Sequence, residues 1–273
     1  MSDILVHEPG EDDVLNNSNI SDELADVTEI QAEPKVIEGA FRRAELPLPR
    51  EVRKAPGIKL YNHLVRSFVF STDLVVIRNC DADAVLAVYP FTCQPAITQA
   101  LLTVSERPVV TGVAGATTTG VRSVLLAAQS EMQGASGVAV NIATKPVVIR
   151  NIARSVDIPV VLTVSELTSR TQLQIAAGAR IINISAGRET PRVVEAARRA
   201  YPHMPIIASG GGTPESIMST INAGADAVSW TPPSLQEIER QAMRTNRARA
   251  EGTPAWSPAA ALIKSHRQYL YTA

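Results

Sequence analysis

The chain of 273 residues is poor in cysteine and aromatic side chains, and it has no long apolar segment. Its two cysteines, Cys80 and Cys93, have neither the spacing of a metal site nor the density of a disulfide-stabilised domain. No apolar run approaches the roughly 20 residues that are needed to span a bilayer. The acidic segment at residues 1–13 is also unlike a signal peptide. These absences predict a cytoplasmic protein with no membrane partner.

Histidine is equally scarce, and the positions of the four histidines disfavour metal and triad chemistry. All of them fall outside the carboxyl ends of the strands predicted below, where a barrel would place its reacting groups. The sequence has no HxE, HExxH or CxxC motif, and its glycines lack the spacing of a dinucleotide fingerprint. We therefore expect no metal ion, no cofactor and no Ser-His-Asp triad.

Short runs of valine, isoleucine and alanine alternate with helical segments along most of the chain. The predicted strands cover residues 67–70, 84–90, 108–114, 137–141, 159–165, 179–185, 204–209 and 225–230. Short apolar strands separated by helices are typical of a parallel sheet that is covered on both faces. Eight such repeats favour a closed (β/α)8 TIM barrel in the α/β class over an open sheet.

The distribution of charge predicts four regions around this barrel. Residues 1–33 hold ten acidic residues and no lysine or arginine, which predicts a disordered acidic tail. Residues 34–64 are expected to form an N-terminal arm with one helix, residues 65–250 the barrel, and residues 251–273 a C-terminal helical extension. The basic remainder suits an anionic partner, for which a phosphorylated metabolite is favoured over RNA. Extra terminal helices of this kind plug one end of a barrel or build an oligomer contact, and we expect a homo-oligomer.

The most informative segment runs from residue 205 to residue 228. An apolar strand ends there at three glycines, after which Thr213 is placed to cap a helix with Pro214 at its first position. A glycine turn that exposes N–H groups before a helix is suited to bind a phosphate, and (β/α)8 barrels use this arrangement. The residues predicted to bind the ligand are Ser209, Gly210, Gly211, Gly212, Thr213, Ser229, Trp230, Asn141 and Ser185.

Three side chains after predicted strands are candidate catalytic residues. Lys145, the one lysine within the repeated region, could pair with a phosphate or carboxylate, form a Schiff base, or lie in solvent as a loop residue. Glu166 and Asp73 could transfer protons, although Glu166 could equally stabilise the start of a helix. The small-residue segment 112–120 is expected to be a mobile loop or a second hydrogen-bonding wall.

Segments 137–154 and 206–229 resemble the glycerol-3-phosphate-responsive antiterminator family, within the ribulose-phosphate-binding barrels. Residues 143–145 (Ala-Thr-Lys) stand where that family has Ser-Thr-Lys, and residues 209–213 stand at its glycine turn. The resemblance covers roughly residues 65–235, and it implies a phosphate-binding barrel with an RNA-directed regulatory role. Residues 110–114 depart from the acidic, histidine-containing segment of the family.

Two hypotheses on function follow from these observations. The favoured one is an enzyme of the lyase, isomerase or hydrolase type that acts on a small phosphorylated metabolite. The alternative is a non-catalytic sensor of a phosphorylated metabolite, or an antiterminator-like regulator that binds RNA. The scarcity of strong acids and bases near the glycine turn suits the second hypothesis, and the frequency of enzymes in this fold suits the first.

Overall fold

The computed structural model describes residues 46–115 and 117–250. Within these residues, eight parallel strands close into a barrel in chain order, which confirms the predicted (β/α)8 fold. The barrel strands are β3 (Ser67–Phe70), β4 (Ala84–Ala87), β5 (Val109–Ala114), β6 (Gly137–Asn141), β7 (Val160–Val164), β8 (Ile181–Ile184), β9 (Ile206–Ser209) and β10 (Ala227–Trp230). The predicted tail (1–33) and C-terminal extension (251–273) lie outside the described residues.

A helix follows each barrel strand. The helices are α1 (Leu74–Asn79), α2 (Pro95–Val104), α3 (Val121–Met132), α4 (Pro146–Ser155), α5 (Ser169–Ala176), α6 (Thr190–Ala200), α7 (Pro214–Asn222) and α8 (Leu235–Ala250). Proline lies in the first turn of α2, α4, α6 and α7, where its missing N–H has no helical acceptor to lose. Among the described residues, no helix is both long enough and apolar enough to cross a bilayer.

The strands are apolar on both faces because successive side chains point alternately into the barrel and towards the helices. The side chains that fill the barrel interior include Phe68, Leu86, Val110, Ala139, Val161, Ile181, Ile207 and Ala227. The alternate positions, such as Val138, Leu162 and Ile182, pack against the helices in a second core layer. The barrel therefore has two apolar layers, one inside the ring of strands and one between the strands and the helices.

A short antiparallel hairpin packs on the barrel core through its apolar side chains. It consists of β1 (Ile58–Leu60) and β2 (His63–Val65). Ile58, Leu60 and Val65 are buried in the same cluster as the side chains of the barrel interior. In the N-terminal arm, for which one helix was predicted, the described residues contain a short 3₁₀-helix at Arg50–Lys54.

Charged side chains near the amino ends of the strands are satisfied by the backbone around them. Asp83 accepts hydrogen bonds from the N–H groups of Arg66 and Ser67, at 2.9 and 3.0 Å. Asp226 accepts from the N–H of Ile206 and forms a 2.6 Å ion pair with Arg198. These two carboxylates therefore fix the starts of β3 and β9.

Candidate functional site

A cavity of about 280 Å³ lies at the carboxyl ends of the barrel strands, the end at which (β/α)8 enzymes have their active sites. Its lining consists of uncharged residues, namely Phe70, Val88, Ala114, Ala139, Val140, Asn141, Thr163, Asn183, Ser185, Ser209, Ser229 and Thr231. The polar side chains lie on or just after β6 to β10, and the apolar ones mainly on or just after β3 to β5. The cavity therefore has a polar wall and an apolar wall.

Part of the polar wall is a row of three side chains on neighbouring strands, which we call the amide row. Asn141 on β6 is in register with Thr163 on β7, which is in register with Asn183 on β8. The Asn183 amide nitrogen donates to the Thr163 hydroxyl at 3.1 Å. Asn183 is only 4% exposed, and its Oδ1 atom has no hydrogen-bond partner among the described residues.

Asn141, the first member of the amide row, is also tied to its own loop. Its Oδ1 atom accepts a hydrogen bond from the backbone N–H of Ala143 at 3.0 Å. Gly115 lies close to the amide, since a Cβ atom there would approach the Asn141 nitrogen to 3.0 Å. The amide is thereby held at the edge of the cavity, beneath the loop that follows β5.

The second part of the polar wall is the serine row, formed by Ser185, Ser209 and Ser229 around β8, β9 and β10. The Ser209 hydroxyl donates to the Ser185 hydroxyl at 3.1 Å, and Ser209 is in register with Ser229. Three hydroxyl groups from consecutive strands thus stand side by side. Each hydroxyl can both donate and accept, so the row can meet an anionic oxygen with donors.

The glycine turn follows the serine row directly and requires glycine for two different reasons. At Gly210 a Cβ atom would come within 2.5 Å of the buried Val228 side chain, so the packing against β10 excludes a larger residue. Gly211 has a φ of +74°, a left-handed conformation that glycine adopts without steric cost. The sequence SGGG therefore encodes a close approach of this turn to the barrel.

The helix that begins after the turn is capped by its own side chains. The Thr213 hydroxyl accepts from the N–H of Ser216 at 3.2 Å, and the Ser216 hydroxyl accepts from the N–H of Thr213 at 3.1 Å. This is a reciprocal capping box. Within the described part of the chain, the N–H groups of Gly211 and Gly212 have no hydrogen-bond acceptor. Two donors beside the serine row are therefore available to a ligand.

Lys145 lies outside the lining of the cavity and is exposed. It is the N-cap residue of α4, and the loop before it is held by α5. The buried Gln174 donates to the carbonyl groups of Ile142 and Thr144, at 3.1 and 2.7 Å. Arg170 donates to the carbonyl of Ala143 at 3.0 Å. The loop is thus fixed, whereas the lysine side chain extends into solvent.

The two candidate acids also lie outside the lining. Glu166 is exposed after β7, and its carbonyl group accepts from the hydroxyl of Thr171 at 3.2 Å. Asp73 caps α1, since its Oδ1 atom accepts from the N–H groups of Val75 and Val76, at 2.9 and 3.2 Å. The Asp73 carboxylate therefore has a structural task, and the Glu166 side chain stands at the rim of the mouth.

Trp230 is the one predicted ligand residue that points to the other face of the sheet. Its side chain is 3% exposed and packs in the outer core layer with Val228 and Ile217. It does not line the cavity, because residues alternate along β10 and the inward position belongs to Ser229. The predicted residues that do line the cavity are Asn141, Ser185, Ser209 and Ser229.

Sequence reasoning missed Thr163, Asn183 and Thr231, which complete the polar wall. Asn183 interrupts an otherwise apolar strand two positions before Ser185. The period of two along a strand places both side chains on the same face. Asn183 could therefore have been identified from the sequence, because it is a polar residue two positions before Ser185, which was predicted to bind the ligand.

The loop after β4 contains two weakly acidic groups beside the mouth. Burial raises the pKa of the Cys93 thiol. Burial also raises the pKa of Tyr89, whose hydroxyl accepts from the N–H of Gln94 at 2.8 Å. Both groups therefore stay protonated at neutral pH, and neither lines the cavity.

Comparison with known proteins supports the fold. The structure resembles phosphoenolpyruvate phosphomutase from Streptomyces platensis subsp. rosaceus with a TM-score of 0.54 at 13% identity, covering 81% of this chain and 95% of that one. A phosphonopyruvate hydrolase in complex with oxalate and Mg²⁺ gives a TM-score of 0.53 at 13% identity, covering 75% and 91%. Oxaloacetate acetylhydrolase in complex with the inhibitor 3,3-difluorooxalacetate gives 0.54 at 13%, covering 77% and 92%.

At such identities the likeness shows a shared barrel and nothing finer. No protein-family model matches the chain, and no curated protein matches it in sequence. The comparisons support the barrel, but they do not support the resemblance to ribulose-phosphate-binding barrels or to the antiterminator family. Fold and site together define the class of the protein as a (β/α)8 barrel with a small, uncharged cavity at its mouth.

Proposed function

We propose that the protein is an enzyme that acts on a small phosphorylated metabolite, whose phosphate binds at the glycine turn. The observation that carries this proposal is a pair of N–H groups, at Gly211 and Gly212 directly before α7, that have no acceptor in the described part of the chain. The start of a helix carries a partial positive charge that favours an anion. The hydroxyl groups of the serine row lie next to the turn and supply further donors.

The size of the cavity argues for a small ligand. Its volume of about 280 Å³ lies just below the usual range for ligand pockets, about 300 to 1,000 Å³. The apolar wall at Phe70, Val88 and Ala114 would contact carbon atoms, while the amide row would contact oxygen atoms. A phosphate ester with a carbon skeleton of a few atoms meets these requirements.

Lys145 and Glu166 are the candidates for the reacting end of the site. They follow β6 and β7, which are neighbouring strands, so their side chains start from the same sector of the rim. A ligand held by its phosphate near β9 and β10 would extend across the cavity towards this sector. Lys145 would then stabilise negative charge and Glu166 would transfer a proton, in a lyase, isomerase or hydrolase reaction. Asp73 is the weaker candidate, since its carboxylate already caps α1.

A divalent metal does not fit the described residues. The phosphonopyruvate hydrolase structure contains Mg²⁺, an ion that proteins bind through carboxylates and water. The cavity lining here has no carboxylate. No group of three His, Cys, Asp or Glu side chains suited to a metal occurs among the described residues. The described side chains of the cavity therefore supply no carboxylate ligand for Mg²⁺.

The uncharged lining also favours a second candidate, a sensor that binds the phosphorylated ligand without converting it. Binding needs only the donors of the turn and the polar wall, whereas most catalysis needs an acid or base within reach of the ligand. The fold does not decide between the two functions, because barrels of one architecture carry unrelated activities. Turnover of a bound ligand is the property that separates them.

The first test compares phosphate binding in two glycine variants. Inorganic phosphate should raise the melting temperature of the wild-type protein, and Gly211→Ala should weaken phosphate binding at least about tenfold, because its Cβ would approach the Ser216 hydroxyl to 2.5 Å. Gly134→Ala is the matched control. Gly134 also has a positive φ, of +99°, but open space around it, and it follows α3 at the other end of the barrel.

The outcomes separate the candidates. If phosphate does not stabilise the wild-type protein, or if both variants bind it equally well, the glycine turn is not the site. If a panel of phosphorylated metabolites binds and some member is converted, the protein is an enzyme, and Lys145→Met and Glu166→Gln should lower the rate. Binding across the panel without any turnover would instead identify a sensor.

A further inference from the structure

The Asn183 side chain carries a buried acceptor that nothing in the described protein satisfies. The residue lines the cavity and is only 4% exposed. Its amide nitrogen donates to the Thr163 hydroxyl at 3.1 Å, which orients the amide, whereas the Oδ1 atom has no hydrogen-bond partner within residues 46–115 and 117–250. An unsatisfied buried acceptor destabilises the free protein. Such a cost is commonly offset by a ligand or an ordered water molecule.

The free oxygen defines what the ligand must supply at this point. A carbonyl oxygen accepts hydrogen bonds and cannot donate them, so the ligand group that meets it must carry a hydrogen. Phosphate and carboxylate oxygens that are fully ionised cannot do so. An ammonium group could donate, but the cavity lining has no acidic side chain to balance its charge, and burying an unpaired cation is costly. A hydroxyl group satisfies both conditions.

We propose that Asn183 is a specificity-determining residue that accepts a hydrogen bond from a hydroxyl group of the ligand, so that the ligand is a small hydroxylated phosphate ester. This inference rests on the proposed function for the position of the phosphate. It goes further by distinguishing hydroxylated phosphates from phosphates whose remaining oxygens are all acceptors.

The strand register sets how far apart the phosphate and the hydroxyl must lie. Asn183 on β8 is in register with Ile207 on β9, two residues before Ser209. At about 3.3 Å per residue, Asn183 lies about 7 Å deeper along the strands than Ser209, so the hydroxyl that meets Asn183 must be the one remote from the phosphate. The apolar wall at Phe70 and Ala114 then faces the carbon skeleton between them.

The experiment compares two phosphate esters that differ only in hydroxyl groups, glycerol 3-phosphate and propyl phosphate. Isothermal titration calorimetry on the full-length protein should show glycerol 3-phosphate binding at least about tenfold more tightly, because propyl phosphate leaves the Asn183 oxygen unsatisfied. In Asn183→Leu the preference should fall to less than about threefold, with the affinity for propyl phosphate nearly unchanged.

Asn183→Asp provides a second variant that keeps an acceptor at the same place. Its charge should weaken the binding of both esters, but the preference for glycerol 3-phosphate should persist, because a carboxylate still accepts from the hydroxyl. The two substitutions thus separate the presence of an acceptor from the general disturbance of the site. Melting temperatures show whether each variant is folded. Should Asn183→Leu fail to fold, the ratios in the wild type and in Asn183→Asp still decide the question.

The results distinguish failure of this inference from failure of the proposed function. Equal binding of both esters by the wild type, or an unchanged preference in Asn183→Leu, would overturn the role of Asn183 and leave the phosphate site in place. Loss of the preference in Asn183→Asp would also overturn it, since the amide nitrogen would then be the group that contacts the ligand. If neither ester nor inorganic phosphate binds, the phosphate site itself is refuted, and the inference with it.

Discussion

The two ends of the barrel differ in how their polar groups are satisfied. At the amino ends of the strands, carboxylates are matched by backbone donors and arginine, as for Asp83 with Ser67 and for Asp226 with Arg198. At the carboxyl ends, the cavity lining is uncharged. The groups there that have no hydrogen-bond partner among the described residues include the Asn183 oxygen and the N–H groups of Gly211 and Gly212.

This difference separates stability from binding in one small domain. Groups with all their hydrogen bonds made contribute to the folded state and have little left to offer a ligand. Groups that are left unsatisfied lower the stability of the free protein, and they recover that cost when a ligand supplies the missing partner. We therefore expect substitutions at the amino end to change stability alone, and substitutions at the mouth to change ligand affinity.

The largest effect should come from Arg198→Ala. Arg198 pairs with Asp226 at 2.6 Å and also donates to the carbonyl groups of Gly224, Pro202 and Met204. Both partners of the pair are only 26% exposed, so Asp226 would lose its counter-charge in a half-buried position. The free energy of unfolding in urea should fall by about 2 to 4 kcal/mol.

Arg199→Ala is the control for this change. Its pair with Glu195 is well exposed, at 70% and 58%, and such pairs contribute less than about 1 kcal/mol. Phosphate affinity measured at 25 °C should be the same in both variants. If Arg198→Ala stayed folded but lost phosphate binding, the amino end of the barrel would affect binding as well as stability, and the proposed difference between the two ends would be refuted.

An effect of intermediate size is expected when the cap residue of α5 or of α7 is replaced, since both helices begin with the same capping motif. Thr213 caps α7 and Thr168 caps α5, each in a reciprocal capping box with a hydroxyl residue three positions later. Replacing either threonine by alanine should cost about 1 kcal/mol in unfolding free energy. Thr213→Ala alone should also weaken the binding of inorganic phosphate, measured by calorimetry, because it loosens the helix start next to the glycine turn. Equal phosphate affinity in the two variants would show that the start of α7 takes no part in phosphate binding.

The smallest effect concerns the dependence of stability on pH. Burial raises the pKa of the Cys80 thiol, which is 1% exposed just before β4. As the pH rises past the ordinary cysteine value of about 8.5, the unfolded chain loses this proton first, so the unfolding free energy falls. Urea titrations between pH 8 and pH 10 should show this fall, and the slope should be shallower in Cys80→Ala. An identical slope in both proteins would show that other groups cause it.

Much of the candidate site could be predicted because its signals are local in the sequence. The glycines after β9, the proline in the first turn of α7 and the threonine cap are neighbours along the chain, and each has a conformational preference of its own. The structure has the turn, the cap and the helix where these preferences put them. What a local pattern could not show is which way the neighbouring side chains face.

Trp230 and Asn183 illustrate that limit. Both lie within apolar strands, and one places its side chain under the helices while the other lines the cavity. A shift of one residue in register would exchange the two faces of a strand. The face of the sheet to which a side chain points is decided by the pairing of its strand with the neighbouring strands, and this pairing involves residues far apart in sequence.

The amino-acid sequence by itself determined the eight repeats, the closed barrel class and the glycine turn, because periodicity and turn preferences act over a few residues. Only the tertiary structure decided that Asn141, Thr163 and Asn183 form one row, and that Lys145, Glu166 and Asp73 lie outside the cavity. Those relations depend on the closure of the barrel, which fixes the register of all eight strands at once.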